Sequence, residues 1–467
     1  MASSQPQSAP RARPLSEKFY FAAWRWHFYA GLYVIPFLLM LAVTGLMMMY
    51  IALFDGREGE YVTIPQGETA LPIATQTQAA LDHLPGAALV EWIGPKGDDR
   101  AAVVRVAVED GQRMVAVDPY TAEVVEVWNR REGWYDFLTD VHGTLLLGDT
   151  GDRLIEVAAG LGIVLVLTGL YLWWPRGNVA AAFFPNLAAR GRALWKSLHT
   201  VVGVYISLLL VVFLVSGLSW SGVWGERFVQ AWSTFPAQKW EAVPLSDSTH
   251  AEHINHGATK DVPWALEQTL MPESGSDAGI TGLPEGTPVN GDSVAALARA
   301  LGYEGRYRIV FPRSDSGVFT INQDSMSNDS HCPTCDRTVH IDQFTGKILG
   351  DVKFADYSLA GKSMAVGIAF HEGDLGLWNV VLNTLFCLAV VFTCVSGVVM
   401  WLKRRPTGTA RLAAPPLPAE LPFWKGAVLI AALVSLAFPL TGLVLLAVLA
   451  FDVLLLGNIP ALKRAVS

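Results

Sequence analysis

Residues Trp24–Tyr50 read WRWHFYAGLYVIPFLLMLAVTGLMMMY, an apolar run with one histidine, His27, at its entrance. About 20 apolar residues suffice to cross a hydrocarbon core of about 30 Å, so this run is long enough to span a membrane. It also returns later in the chain. Adding 172 to each number carries His27, Gly31, Tyr33 and Gly45 to His199, Gly203, Tyr205 and Gly217, in HTVVGVYISLLLVVFLVSGLSW. A histidine kept at one depth in two related membrane helices points to a buried ligand, because ionisable residues at that depth are functional by default.

The bulk numbers agree with a polytopic membrane protein. The 467 residues are 52% hydrophobic and 16% charged, with a mean hydropathy of +0.34, outside the usual soluble range. A net charge of −8, with no basic face to neutralise phosphates, argues against nucleic acid. Further apolar windows cover Leu154–Trp174, Thr200–Val223, Leu377–Leu402 and Gly426–Leu456. The last contains Pro439 and Asp452 and reads as one kinked span or a re-entrant hairpin. The first run exceeds the ~7–15 residues of a signal-peptide core and has no small-residue cleavage site, so it reads as an uncleaved span.

Lysine and arginine set the orientation. Arg11, Arg13, Lys18 and Arg25 precede the first span; Arg176, Arg190, Arg192 and Lys196 separate the second from the third; Lys403, Arg404, Arg405 and Arg411 follow the fourth. All three segments are cytoplasmic by the positive-inside rule. The expected organisation is a disordered cytoplasmic start (1–20), a first span (21–50) and a first outer domain (51–139). A histidine lead-in and second span (140–175), a cytoplasmic loop (176–198) and a third span (199–223) follow. The second outer domain (224–369), a lead-in and fourth span (370–402), a loop (403–425) and the C-terminal hydrophobic segment (426–457) complete it.

Both outer stretches carry the period-two alternation of half-buried strands, as in RAAVVRVAVED and RTVHIDQFTGKILGDVKF. Val117-Asp118-Pro119-Tyr120-Thr121 aligns with Ile341-Asp342-Gln343-Phe344-Thr345, turns in which an aspartate can cap its own backbone. Ser293–Tyr303 reads as a short amphipathic helix. Each outer domain is expected to be a small α+β unit. The even-numbered spans repeat too: Thr168-Gly169 with Trp173 matches Ser396-Gly397 with Trp401, and His142 and His371 lie 27 and 26 residues before those glycines.

In this topology His27 and His199 share the cytoplasmic side, and His142 and His371 share the outer side. Two facing imidazoles from separate helices supply the two axial ligands of a haem iron. On a helix, Gly31 sits ~40° round from His27, and Gly45, five turns and ~27 Å further, returns to the same face. Gly31, Gly45, Gly203 and Gly217 are therefore expected to leave room for flat macrocycles. Zinc suits the spans less, since no further Cys, His or carboxylate accompanies either pair there at ligand spacing.

The H-x3-G…TG spans, the V-D-x-x-T turns and the TGL-x2-W ending with its basic stop resemble the PepSY-associated transmembrane proteins, from Phe19 to about Lys463. The family includes bacterial inner-membrane ferric-siderophore reductases. That resemblance implies periplasmic PepSY-like domains and two b-type haems, one held by His27 and His199 and one by His142 and His371. It also implies electrons passing from a cytoplasmic-side donor to a periplasmic ferric siderophore or other ferric chelate.

Outside the spans, His331-Cys332-Pro333-Thr334-Cys335, with His340 beyond, reads as a disulfide loop, a zinc knot or a redox-active dithiol. His250, His253 and His256 are spaced to line one side of a turn, as an exposed polar loop or a metal site. Cys387 and Cys394 share a helical face and are expected to pack. No Rossmann or P-loop glycine pattern occurs, so the donor is expected to be quinol from the bilayer or a separate reductase. The leading expectation is a dihaem transmembrane reductase of ferric chelates. A non-enzymatic sensor or modulator binding a periplasmic protein or peptide, and a metal transporter, are the alternatives.

Overall fold

The structure, a computed structural model, describes residues 15–175, 177–230, 242–254, 262–327, 329–405, 412, 414, 415 and 425–451. In chain order its elements begin with α1 (Leu15–Phe54), α2 (Ile73–His83), β1 (Ala88–Ile93), β2 (Ala102–Val108), β3 (Gly111–Val117), β4 (Val124–Asn129), α3 (Trp134–Thr144), α4 (Asp149–Trp173) and α5 (Gly191–Leu218). They continue with β5 (Leu245–Thr249), α6 (His250–Ile254), β6 (Leu270–Pro272), α7 (Gly291–Ala300), β7 (Arg308–Val310), β8 (Val318–Gln323), β9 (Arg337–Asp342) and β10 (Ile348–Lys353). The chain closes with α8 (Leu359–Glu372), α9 (Leu377–Leu402), α10 (Lys425–Ala437) and α11 (Pro439–Phe451).

Among the described residues, four helices (α1, α4, α5 and α9) are long and apolar enough to cross a membrane. The helix α1 runs unbroken through Pro36. Both α1 and α5 start well before their apolar windows, so His27 and His199 lie some turns inside helices rather than at their first residues. Lys and Arg are good helix formers, and their long stems let basic heads reach water from a helix whose body is buried. The C-terminal segment breaks at Pro439 into α10 and α11, each of 13 residues. Over the described residues each is about 20 Å long.

The chain divides into two compact units, Met1–Met40 with Leu154–Leu214 and Leu388–Ser467, and Leu41–Arg153 with Val215–Cys387. In the first unit α11 packs tightly on α4, so that a methyl group on Gly160 would collide with the Thr441 side chain.

In the second unit the two stretches expected as α+β domains share one sheet. Among the described residues, the eight strands outside the small β5–β6 ribbon join one antiparallel sheet, in the order β10-β9-β8-β7-β1-β2-β3-β4. Each half is a helix followed by a four-stranded meander, α2 with β1–β4 and α7 with β7–β10. The halves meet through their first strands, with Trp92 opposite Ile309 and Ile93 opposite Arg308. Joining them covers two strand edges that would otherwise offer unpaired N–H and C=O groups. A single apolar core runs beneath both halves, from Ile73, Ala80, Val104 and Val115 to Val294, Ala298, Ile321 and Val339. The helices α2 and α7 are tied end to end, because the Ile73 N–H donates to the Asp292 carboxylate at 2.6 Å. The expected amphipathic helix is α7, whose Asn290 cap accepts from the Asp292 and Ser293 N–H groups.

Charges are buried beside the junction. Arg308 bonds Asp329 at 2.9 Å and Glu58 at 2.5 Å, and Arg306 reaches Asp329 at 3.3 Å. On β1 and β2, Glu91 pairs with Arg105 at 2.9 Å. Burial raises the Asp329 carboxyl to about 6, against the opposing pull of Arg308 and Arg306. Nothing in the alternation pattern signals these pairs.

Candidate functional site

The four histidines are held in one repeated way. In the first unit, His27 Nδ1 lies 3.0 Å from Thr168 Oγ1, and His199 Nδ1 lies 2.8 Å from Ser396 Oγ. In the second, His142 Nδ1 lies 2.8 Å from Thr44 Oγ1, and His371 Nδ1 lies 2.8 Å from Ser216 Oγ. Each hydroxyl is followed in sequence by a glycine, and the histidine Cε1 rests against that glycine. A Cβ on Gly169 would stand 3.2 Å from His27 Cε1, one on Gly397 3.7 Å from His199 Cε1, and those on Gly45 and Gly217 3.5 Å from His142 and His371. Every span thus contributes one hydroxyl–glycine pair that seats a histidine from another helix.

The hydroxyl protons fix the ring tautomers in the first unit. Thr168 donates to the Val164 carbonyl at 2.7 Å, and Ser396 donates to the Thr393 carbonyl at 2.9 Å. A hydroxyl has one proton, so an oxygen that donates to its carbonyl accepts from the histidine Nδ1–H. The His199 Nδ1–H also faces the Thr393 carbonyl at 3.1 Å, a group that can only accept. A neutral ring protonated at Nδ1 carries its lone pair on Nε2, the arrangement that metal-ligating histidines adopt when their other nitrogen is held by an outer partner.

The rings come in twos. The His27 and His199 ring centres are 6.5 Å apart at an interplanar angle of 89°, and those of His142 and His371 are 6.4 Å apart at 84°. Metal–nitrogen bonds of about 2.0 Å, with about 1.1 Å from each nitrogen to its ring centre, put two imidazoles on opposite sides of one metal at about 6.2 Å. Among the described residues no group of three or more His, Cys, Asp or Glu is placed to hold a metal ion. Two protein nitrogens fall short of the four ligands of a structural zinc. They match the axial demand of a metal whose equatorial ligands come from a macrocycle, so the donor set fits a haem at each pair.

The lead-in histidines sit on short helices of their own, and not on extensions of the following spans. His142 lies in the last turn of α3, after which Leu145 and Leu146 take left-handed φ values of 54° and 60°, uncommon for residues with side chains. His371 ends α8, capped by Gly373 at φ 93°. A Cβ on Gly373 would lie 3.0 Å from Met49 Sδ, so both the turn and the close approach require glycine. Around that cap, the buried Arg57 bonds Glu372 at 2.9 Å and Asp374 at 2.8 Å.

The glycine expectations change in detail. Gly31 and Gly203 touch no histidine: a Cβ on Gly31 would meet Leu165, and one on Gly203 would meet nothing within 4 Å. Gly45 and Gly217 do serve histidines, but as the seats of His142 and His371. The sequence reading missed Thr44, Thr168, Ser216 and Ser396 as histidine partners, together with the seats Gly169 and Gly397. Their signal was a Ser/Thr-Gly pair present in every span.

The remaining candidates divide. Cys332 and Cys335 form a disulfide, which leaves no thiolates there for a zinc knot. The neighbouring His331 Nδ1–H donates to the Asp374 carbonyl at 2.7 Å. His250 is not in an exposed loop but 1% exposed. Its Nδ1 lies 2.6 Å from the Thr269 carbonyl, and its Nε2 lies 2.9 Å from Nε2 of the equally buried His340. Both ring nitrogens are therefore committed to protein partners, which removes it from a metal site. The side chain of His253 and all of His256 lie outside the described residues. Cys387 and Cys394 are buried and free.

Long apolar helices and two histidine pairs define a membrane protein with paired imidazole sites between helices. The family model described as the PepSY-associated TM region matches residues 24–404, and the chain belongs to that family. No curated protein matches it.

Proposed function

We propose that the protein is a dihaem b-type electron carrier of the bacterial inner membrane that reduces ferric chelates, ferric siderophores among them, on the periplasmic side. The observation that carries this reading is the repeated seat, in which two pairs of imidazoles are held at Nδ1 and spaced for one metal each. Haem bound at each pair would supply one-electron redox chemistry at a potential set by its surroundings. The chain does the rest. Thr168, Ser396, Thr44 and Ser216 orient the rings and raise the basicity of Nε2. The seat glycines bring each ring close to the opposing helix. His27 and His199 face the cytoplasmic donor, a quinol or a separate reductase, and His142 and His371 lie on the periplasmic side with the sheet. Ferrous iron is held far less tightly than ferric iron by hard-oxygen chelators, so one electron releases the metal.

Proteoliposomes with a ferric chelate and a ferrous indicator trapped inside, and reductant added outside, test the direction of transfer. Ferrous iron should appear only with the protein present and should vanish in His27→Ala and His371→Ala alike. Iron that remains ferric inside while the protein itself is reduced would remove the reductase assignment and leave the haem sites standing.

A further inference from the structure

At the end of the first unit that carries His27 and His199, guanidinium nitrogens are buried without hydrogen-bond partners. The Arg404 guanidinium lies 5.3 Å from the Trp24 ring centre and 4.8 Å from that of Phe28, two residues that flank His27 on α1. Its Nε and Nη2 are buried with no hydrogen-bond partner, and so is the Nε of Arg192. Burial, and then the charge of Arg192, hold Arg404 below the ordinary arginine range. Arg192 acts on Arg404 as a like charge, and partly buried like charges are destabilising unless something negative sits near them. Guanidinium forks match the geometry of carboxylate and phosphate oxygens. Their positions follow from the repeat: Arg192 precedes His199 by seven residues, and Arg404 follows Gly397, the seat of His199, by seven. Each is about two helical turns, or ~10 Å, from that histidine's level.

We propose that Arg404 and Arg192 form a built site for an oxyanion, a carboxylate or phosphate group received against Trp24 and Phe28. A carboxylate would come from the propionate edge of a haem between His27 and His199, a source that rests on the function proposed above. A phosphate would come from an anionic lipid headgroup and needs no haem.

The test uses the full chain in nanodiscs, as wild type and as Arg404→Gln, Arg192→Gln, the double variant and Arg404→Lys. Three quantities are read: the midpoints of the two b-type components in a redox titration, haem retained per chain, and anionic lipid retained after detergent washing by native mass spectrometry. Bound carboxylate predicts that Arg404→Gln lowers one midpoint by about 59 mV, a tenfold shift for one electron, and leaves the other unmoved. It also predicts that replacing haem with its dimethyl ester lowers retention about tenfold in wild type and leaves Arg404→Gln unaffected. Bound phosphate predicts unmoved midpoints and loss of a retained anionic lipid in Arg404→Gln. In either case Arg404→Lys should restore most of the effect. The site is overturned if the double variant keeps both midpoints and the same retained lipid while melting at a higher temperature, as removal of an uncompensated charge pair would give. Wild-type protein without any b-type band would remove the haem reading alone, and lipid retention would then decide the oxyanion site by itself.

Discussion

His199 Nδ1 faces the Thr393 carbonyl, which can only accept, so the ring carries its proton there, beside Ser396 Oγ. His27 Nδ1 lies in the same way against Thr168 Oγ1. Removing such an outer partner commonly costs ~10–100-fold in metal affinity. Ser396→Ala is therefore expected to weaken haem binding at the His199 pair by about that factor in a haem titration, with the His142 pair unaffected. Gly169→Val should act through space instead of charge. Its Cβ would press on His27 Cε1 from 3.2 Å, tighter than packed cores accept without a shift, and the His27 component should broaden or disappear from the spectrum while the helix content by circular dichroism stays unchanged. At this scale much was legible in the sequence. The histidines stand out because charge-capable residues are rare in apolar runs, and their spacing gives the partners. The hydroxyl–glycine seats were visible as letters but not as contacts, because helical periodicity reports which residues share a face of one helix and is silent about which neighbouring helix they meet.

The helices and strands follow their patterns, and the surprises lie where one element joins another. The first strands β1 and β7 look like any half-buried strands in the sequence, and their pairing into one sheet depends on edges that alternation does not encode. The cost of that junction is concentrated in buried ion pairs. Truncating one partner of such a pair typically costs about 3–5 kcal/mol, because the other charge is left desolvated. Arg308→Ala should accordingly lower the unfolding midpoint of the sheet strongly, and adding Asp329→Asn should recover part of the loss by removing the stranded carboxylate. A double-variant melt no better than the single one would assign the loss to Glu58 or to packing instead. The placement of His142 and His371 on separate short helices was likewise hidden. It rests on left-handed residues, at Leu145 and Leu146 in one case and Gly373 in the other, and only the glycine announces itself in the sequence.

For the whole molecule, the chain belongs to the PepSY-associated TM family and carries one histidine pair in each of its two compact units. The central claim is that each histidine pair holds one haem. It is tested most directly by the dithionite-reduced minus oxidised absorption spectrum of the purified full chain, recorded for wild type and for the four single His→Ala variants. Two b-type components are expected in wild type, with His27→Ala and His199→Ala removing the same one and His142→Ala and His371→Ala removing the other. A wild-type spectrum with no reducible b-type band, or variants that each retain both components, would contradict it.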